Sequence, residues 1–208
     1  MIRRVAITGG LGAGKSLVAA WLRQAGHAVV DADVEGRAVV EDSAPLRAQL
    51  ASDFGADLLL GDGGLDRRLL ARRAFATPQA LAGLNARVFP YLEARLEMRL
   101  KAEAASLAGE SGRGVFLDAA LVYEWGIQGR FDEVWMVRAP DELRLRRAAA
   151  RLGISLDEAR LRLERQWPQE EKARLAHEVL DNDGNLDKLR ARLCSLLQRR
   201  GLRLPPQA

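Results

Sequence analysis

The chain has a single cysteine, Cys194, in 208 residues. That excludes an internal disulfide framework and any zinc site built from several cysteines. There are only two histidines, His27 and His177. Neither has a partner at the spacing of a metal-ligand pair or a catalytic triad, so both read as structural or surface residues. Aromatic residues make up 5% of the chain, too few for the base-stacking platforms of a single-strand nucleic-acid binder. Trp21, Trp125, Trp135 and Trp167 read as packing residues. No stretch approaches the ~18 apolar residues of a membrane span. The first residues are basic but carry no long apolar run before Gly9, so no signal peptide is expected and a cytoplasmic location is. Neither a nucleic-acid nor a membrane partner is expected.

Lysine is scarce too: Lys15, Lys101, Lys172 and Lys188 are the only four among 32 cations, and the rest are arginines. Most of these arginines read as solvated helix faces, although each has the planar fork that suits phosphate recognition. The remaining composition, 48% hydrophobic and 29% charged with a net charge of +4, is that of an ordinary folded protein. A chain of this length buries ~70% of its unfolded surface and needs no covalent staple.

Short apolar runs mark the strands: Arg4–Thr8, Ala28–Asp31, Val115–Asp118, Val134–Val137 and Glu178–Leu180. Between the first two, Val18, Trp21, Leu22 and Ala25 recur at helical spacing and Gly26 offers a stop. Strand, glycine-rich turn, helix, strand is the opening of a parallel α/β sheet. The stretch from Glu35 to Leu107 reads as mostly helical, with a turn at Gly61–Gly64 and a helix start at Thr77-Pro78. Asp141 to Gln166 is a charged helical stretch broken near Gly153, and Leu186 to Arg199 a closing amphipathic helix.

Gly9-Gly10-Leu11-Gly12-Ala13-Gly14-Lys15-Ser16 fits G-x-x-x-x-G-K-[ST] and lies between an expected strand and an expected helix. Glycines permit the loop's dihedrals, and successive amides with a helix N-terminus face phosphates. Lys15 would reach the β and γ phosphates, and the Ser16 hydroxyl would ligate Mg²⁺. A bound nucleoside triphosphate follows, but not the choice among kinase, GTPase and motor. No N-K-x-D guanine motif is evident.

Asp31 and Asp33 follow the second strand, where ligands of open α/β sheets lie. Asp33 is the candidate to orient an acceptor hydroxyl and take its proton, against the plain alternative of a helix cap. Strand alternation is expected to turn Asp31 away from that role. Asp118 ends an apolar strand, the position of an Mg²⁺-contacting acid, or of an acid that merely begins a turn.

Taken together, Val5–Ser16, Val30-Asp31-Ala32-Asp33 and Leu117-Asp118-Ala119-Ala120-Leu121-Val122-Tyr123-Glu124 resemble the dephospho-CoA kinase family. Leu65-Asp66-Arg67, Leu84–Pro90, Arg162–Gln166, Lys172 and Asp181–Gly184 fit it in order along nearly the whole chain. The resemblance implies a P-loop NTPase-type α/β core from residues 1–34, 108–140 and 176–208, its parallel sheet flanked by helices. It implies a helical acceptor-binding insertion at 35–107 and a helical lid at 141–175. The implied reaction is transfer of phosphate from ATP, with Mg²⁺, to the ribose 3′-hydroxyl of dephospho-CoA, giving CoA and ADP.

On that resemblance Gly10, Leu11, Gly12, Ala13, Gly14, Lys15, Ser16, Leu17, Arg147, Arg151 and Asn182 bind ATP. Thr8, Asp33, Arg67, Leu121, Glu124 and Arg162 serve the acceptor. Asp33, Lys15 and Arg147 carry the chemistry, and Ser16 and Asp118 the metal. The chain departs from the family pattern at Leu17, Phe89, Ala120, Arg144 and His177, which touches substrate contacts more than the reaction. Another P-loop nucleotide kinase, or a non-catalytic nucleotide-binding regulator, remains open on the motifs alone.

Overall fold

A computed structural model describes residues 2–206. Met1, Gln207 and Ala208, at the ends of the expected core segments, lie outside the described residues. The chain forms two compact units, Met1–Asp31 with Leu100–Ala208, and Ala32–Arg99.

The first unit is built on five strands: β1 (Arg3–Thr8), β2 (Ala28–Asp31), β3 (Gly114–Asp118), β4 (Glu133–Arg138) and β5 (Glu178–Asp181). They lie in the order β2-β3-β1-β4-β5, and every pairing is parallel. The apolar strand runs are explained by burial on both faces, as helices cover a parallel sheet. Val5, Ile7, Phe116, Trp135 and Val137 pack with Val18, Trp21 and Leu22 of α1 (Lys15–Gln24) and with Leu189, Leu193, Leu196 and Leu197 of α9 (Leu186–Arg199). The chain leaves β1 for β2 on one side and later adds β4 and β5 on the other. The end of β1 is therefore the switch point of the sheet, the position at which open α/β sheets bind ligands.

Three helices, α6 (Asp141–Leu152), α7 (Leu156–Glu164) and α8 (Gln169–Leu175), join β4 to β5. Gly153, with φ 64°, ends α6, and the Ser155 hydroxyl caps α7 by accepting from the Glu158 amide at 3.1 Å.

The second unit holds α2 (Ala32–Asp42), α3 (Ala44–Phe54), α4 (Arg67–Ala74) and α5 (Pro78–Ser106) as far as Arg99. Its core is Val39, Leu46, Leu50, Leu58 and Leu70. Ser43 caps α3, Asp66 caps α4, and Thr77 caps α5 through the Ala80 amide at 3.1 Å. The Gly61–Gly64 turn closes a short antiparallel bridge, Leu59 with Leu65.

Two expectations are corrected. The strand ends at Asp31 and α2 begins at Ala32, so Asp33 stands in the first turn of a helix. Alternation does not distinguish Asp31 from Asp33, since residues two apart in a strand share a face; the change of element does. Trp167 is 43% exposed and is not a packing residue, whereas Trp21 and Trp135 lie in the core. Among the described residues no helix is long and apolar enough to cross a membrane.

Candidate active site at the carboxyl end of the central strand

The loop between β1 and α1 takes the shape its glycines allow. Gly9, Gly12 and Gly14 have φ of 142°, 77° and 104°, a region that costs any side chain. Gly14 caps α1 in the left-handed conformation and supplies no side chain to the first amides. Those amides, with the positive end of the helix dipole, make a helix start of the kind that suits an anion. Lys15 and Ser16 are the first two residues of α1, with Ser16 exposed and Leu17 half-buried.

The loop is tightly supported from below. The Asn182 amide nitrogen donates to the Ala13 carbonyl at 2.8 Å, and a Cβ on Gly14 would overlap it. A Cβ on Gly9 would overlap the Val137 carbonyl of β4. Asn182 is fully buried, and its Oδ1 has no hydrogen-bond partner among the described residues.

Asp31 and Asp118 stand side by side at the ends of β2 and β3, and Asp118 pairs in register with Ile7 of β1 on its other side. Asp118 is 9% exposed. Beyond it, residues 119–126 turn across the sheet end. The Thr8 hydroxyl donates to the Ala120 carbonyl at 3.2 Å, which fixes this turn to β1. Leu121 is half-buried in the turn.

Glu124 and Lys172 form an ion pair at 2.6 Å, with Lys172 fully buried. The Lys172 ammonium also donates to the Ala120 carbonyl at 2.9 Å, and the Trp167 amide donates to Glu124 Oε1 at 3.1 Å. Burial lowers the lysine pKa, and the Glu124 carboxylate pulls it back up. Next to Glu124, burial raises the Tyr123 phenol to about 12.

The candidate lid arginines divide in two. Arg147 and Arg151 share one face of α6, four residues apart. Arg147 is half-buried, and its Nη1 is buried with no hydrogen-bond partner among the described residues. A buried donor without an acceptor is costly, and an anion would satisfy it. Arg151 is exposed at the end of α6. Arg162 is exposed on α7 and pairs with Glu158 at 2.8 Å.

In the second unit, Asp33 is exposed in the first turn of α2. Arg67 opens α4, exposed, and pairs with Glu41 at 2.9 Å.

Sequence reasoning assigned no role to two residues beneath the loop. Gln166 accepts from the Leu11 amide at 2.8 Å, and Arg144, noted only as a departure, donates from Nε to the Leu11 carbonyl at 3.2 Å. No local signal announces a contact spanning 155 residues. The histidines are structural. His27 Nδ1 accepts from the Gly114 amide at 3.1 Å, and its Nε2 donates to the Arg203 carbonyl at 3.0 Å. His177 Nδ1 accepts from the Val134 amide at 3.1 Å.

The dephospho-CoA kinase family model matches residues 3–188. A dephospho-CoA kinase of Deinococcus radiodurans is 43% identical, covering 94% of this chain and 91% of that protein. One of Anaeromyxobacter dehalogenans is 41% identical, covering 98% of this chain and 97% of that protein. The solved structure of TT1252 from Thermus thermophilus is 38% identical with a TM-score of 0.76, covering 95% of this chain and 97% of that one. With the family pattern running from the first strand into the last helix, the chain belongs to the dephospho-CoA kinase family.

Proposed function

We propose that the protein transfers the γ-phosphoryl group of ATP to the ribose 3′-hydroxyl of dephospho-CoA, giving CoA and ADP. The observation that carries this reading is the family match over residues 3–188, joined to a complete phosphate loop at the sheet's switch point. Phosphoryl transfer asks the protein for little covalent chemistry and much positioning and charge.

In this reading Gly10 to Leu17 form the phosphate site, the phosphates held by the amides not already engaged as that of Leu11 is with Gln166, and Lys15 follows the charge that builds as the phosphoryl moves. Asp33 orients the 3′-hydroxyl and takes its proton as the new O–P bond forms and the β–γ bridge bond breaks toward ADP. Exposure in the first turn of α2 supports that role, since the carboxylate is reachable there. Arg147 turns its Nη1, which has no hydrogen-bond partner among the described residues, to the phosphates, and Arg151 joins it when the 141–175 lid closes, while Arg162 serves the acceptor. Thr8, Leu121 and Glu124 serve the acceptor, as does Arg67 of the helical acceptor domain, 35–107. Asn182 supports the nucleotide site through Ala13.

The exposed Ser16 hydroxyl and the Asp118 carboxylate at the end of β3 are hard oxygen donors of the kind Mg²⁺ takes. Bound there, Mg²⁺ supplies neutralisation of the phosphate oxygens.

The test is ADP release by the purified protein, with dephospho-CoA, AMP, adenosine, shikimate or no acceptor. Turnover with dephospho-CoA far above the rest is expected. Equal turnover with AMP would replace this reading with a nucleotide kinase.

A further inference from the structure

The tip of the phosphate loop is gripped from two sides by residues of the segment joining β4 to β5. Gln166 Oε1 takes the Leu11 N–H, and Arg144 Nε gives to the Leu11 C=O. The N–H belongs to the peptide plane before Leu11 and the C=O to the plane after it. Fixing both planes fixes the two backbone dihedrals of Leu11. The neighbours on either side, Gly10 and Gly12, have the widest conformational freedom of any residue. Without the grip the loop tip would have many shapes open to it.

The Arg144 side of the grip is itself held. Arg144 is 5% exposed, and its Nη1 donates to Asp141 Oδ1 at 2.7 Å. The same Asp141 oxygen accepts from Gln169 Nε2 at 2.8 Å. Gln169 in turn bonds the Ala139 carbonyl at 3.0 Å and the Ala139 amide at 3.3 Å, just past the end of β4. A Cβ on Gly10 would overlap the Arg144 guanidinium, and one on Gly12 the Arg144 carbonyl, so the loop sits directly on α6. Burial lowers the guanidinium pKa and Asp141 opposes the shift, but an arginine stays charged.

We propose that Arg144 and Gln166 are positioning residues that clamp Leu11 and so align the loop amides before a nucleoside di- or triphosphate arrives. Neither touches the phosphates in this assignment; both act through the Leu11 backbone. Their contribution is preorganisation, which strengthens binding by removing an ordering cost from the bound state. The inference rests on the phosphate-loop part of the proposed function and not on the acceptor.

The test is calorimetric titration of ADP into the full chain, as wild type, Gln166→Leu, Arg144→Met and the double variant. No acceptor is present, so the outcome is separate from whether dephospho-CoA is the substrate. Each single variant should weaken ADP binding about fivefold to tenfold, the effect of one hydrogen bond. The double variant should lose clearly less than the product of the two, because one free plane already releases the loop. Unchanged binding in both singles, tighter binding in Gln166→Leu, or strictly multiplicative losses would each overturn the clamp. Should Arg144→Met not fold, amide hydrogen exchange at Leu11 decides. Protection in the nucleotide-free wild type that is lost in Gln166→Leu is expected, and an unprotected Leu11 in the wild type would overturn the proposal.

Discussion

Lys15 is the only lysine in the phosphate loop, and Gly9–Ser16 holds no other cation to replace it. Lys15→Ala should lower turnover on the order of 10²-fold or more while the fold is kept, as removal of one electrostatic stabiliser does. Steady-state kinetics with circular dichroism as the fold control checks this, and wild-type turnover would remove Lys15 from the chemistry. Asp33→Asn keeps an acceptor oxygen but loses charge and basicity. A fall in kcat of about 10²–10⁴-fold with little change in ATP affinity is expected. Asp31→Asn should be much milder, since Asp31 ends β2 while Asp33 stands exposed in α2. The reverse order of effects would assign the base role to Asp31. These candidates could be picked out because each belongs to a contiguous motif whose spacing suggests its chemistry. The contacts of Arg144 and Gln166 could not, because their partner is a backbone group far along the chain.

At the scale of elements, the strands could be read from apolar runs and α1 and α9 from their amphipathic spacing, because burial on one or two faces writes itself into local sequence. The ties between elements could not. The Lys172–Glu124 pair joins α8 to the turn after β3, and nothing near either residue signals the other. Nor did local rules give α5 as one 29-residue helix running through Pro90. The buried pair gives a stability test. Lys172→Met strands the Glu124 carboxylate in a largely buried site and should cost about 3–5 kcal/mol in urea unfolding. Lys172→Met with Glu124→Leu should regain most of that loss, since an apolar pair of similar volume avoids the desolvation of both charges. If the single variant were as stable as the wild type, the ammonium would not be sealed beneath the turn. On α6, Arg147→Ala should depress kcat more than nucleotide affinity, since in the proposed reading its Nη1, without a hydrogen-bond partner among the described residues, meets phosphate only as the lid closes.

His27 acts on the whole first unit, because its ring joins three places remote in sequence. It sits before β2, takes the amide of Gly114 at the start of β3, and gives to the carbonyl of Arg203 in the C-terminal tail. Accepting at Nδ1 while donating at Nε2 requires the neutral ring. Burial lowers the His27 pKa below its ordinary 6.5, the Arg203 carbonyl opposes that shift, and the Arg113 and Arg203 charges reinforce it. The unfolded chain therefore binds the proton more readily than the folded one. Stability from this contact is complete above the unfolded pKa of 6.5 and declines as the pH falls below that value toward the lowered folded pKa. His27→Gln supplies the same pair of groups, a carbonyl oxygen for Gly114 and an N–H for Arg203, with nothing to protonate. Between pH 7.5 and 5.5 the wild type should lose on the order of 2–4 °C more in Tm than His27→Gln, the shift that about 1 kcal/mol produces at this chain length. Calorimetric melts of both proteins across that range check it. Equal losses in the two would mean that acid acts elsewhere and that the tail stays docked when His27 is charged.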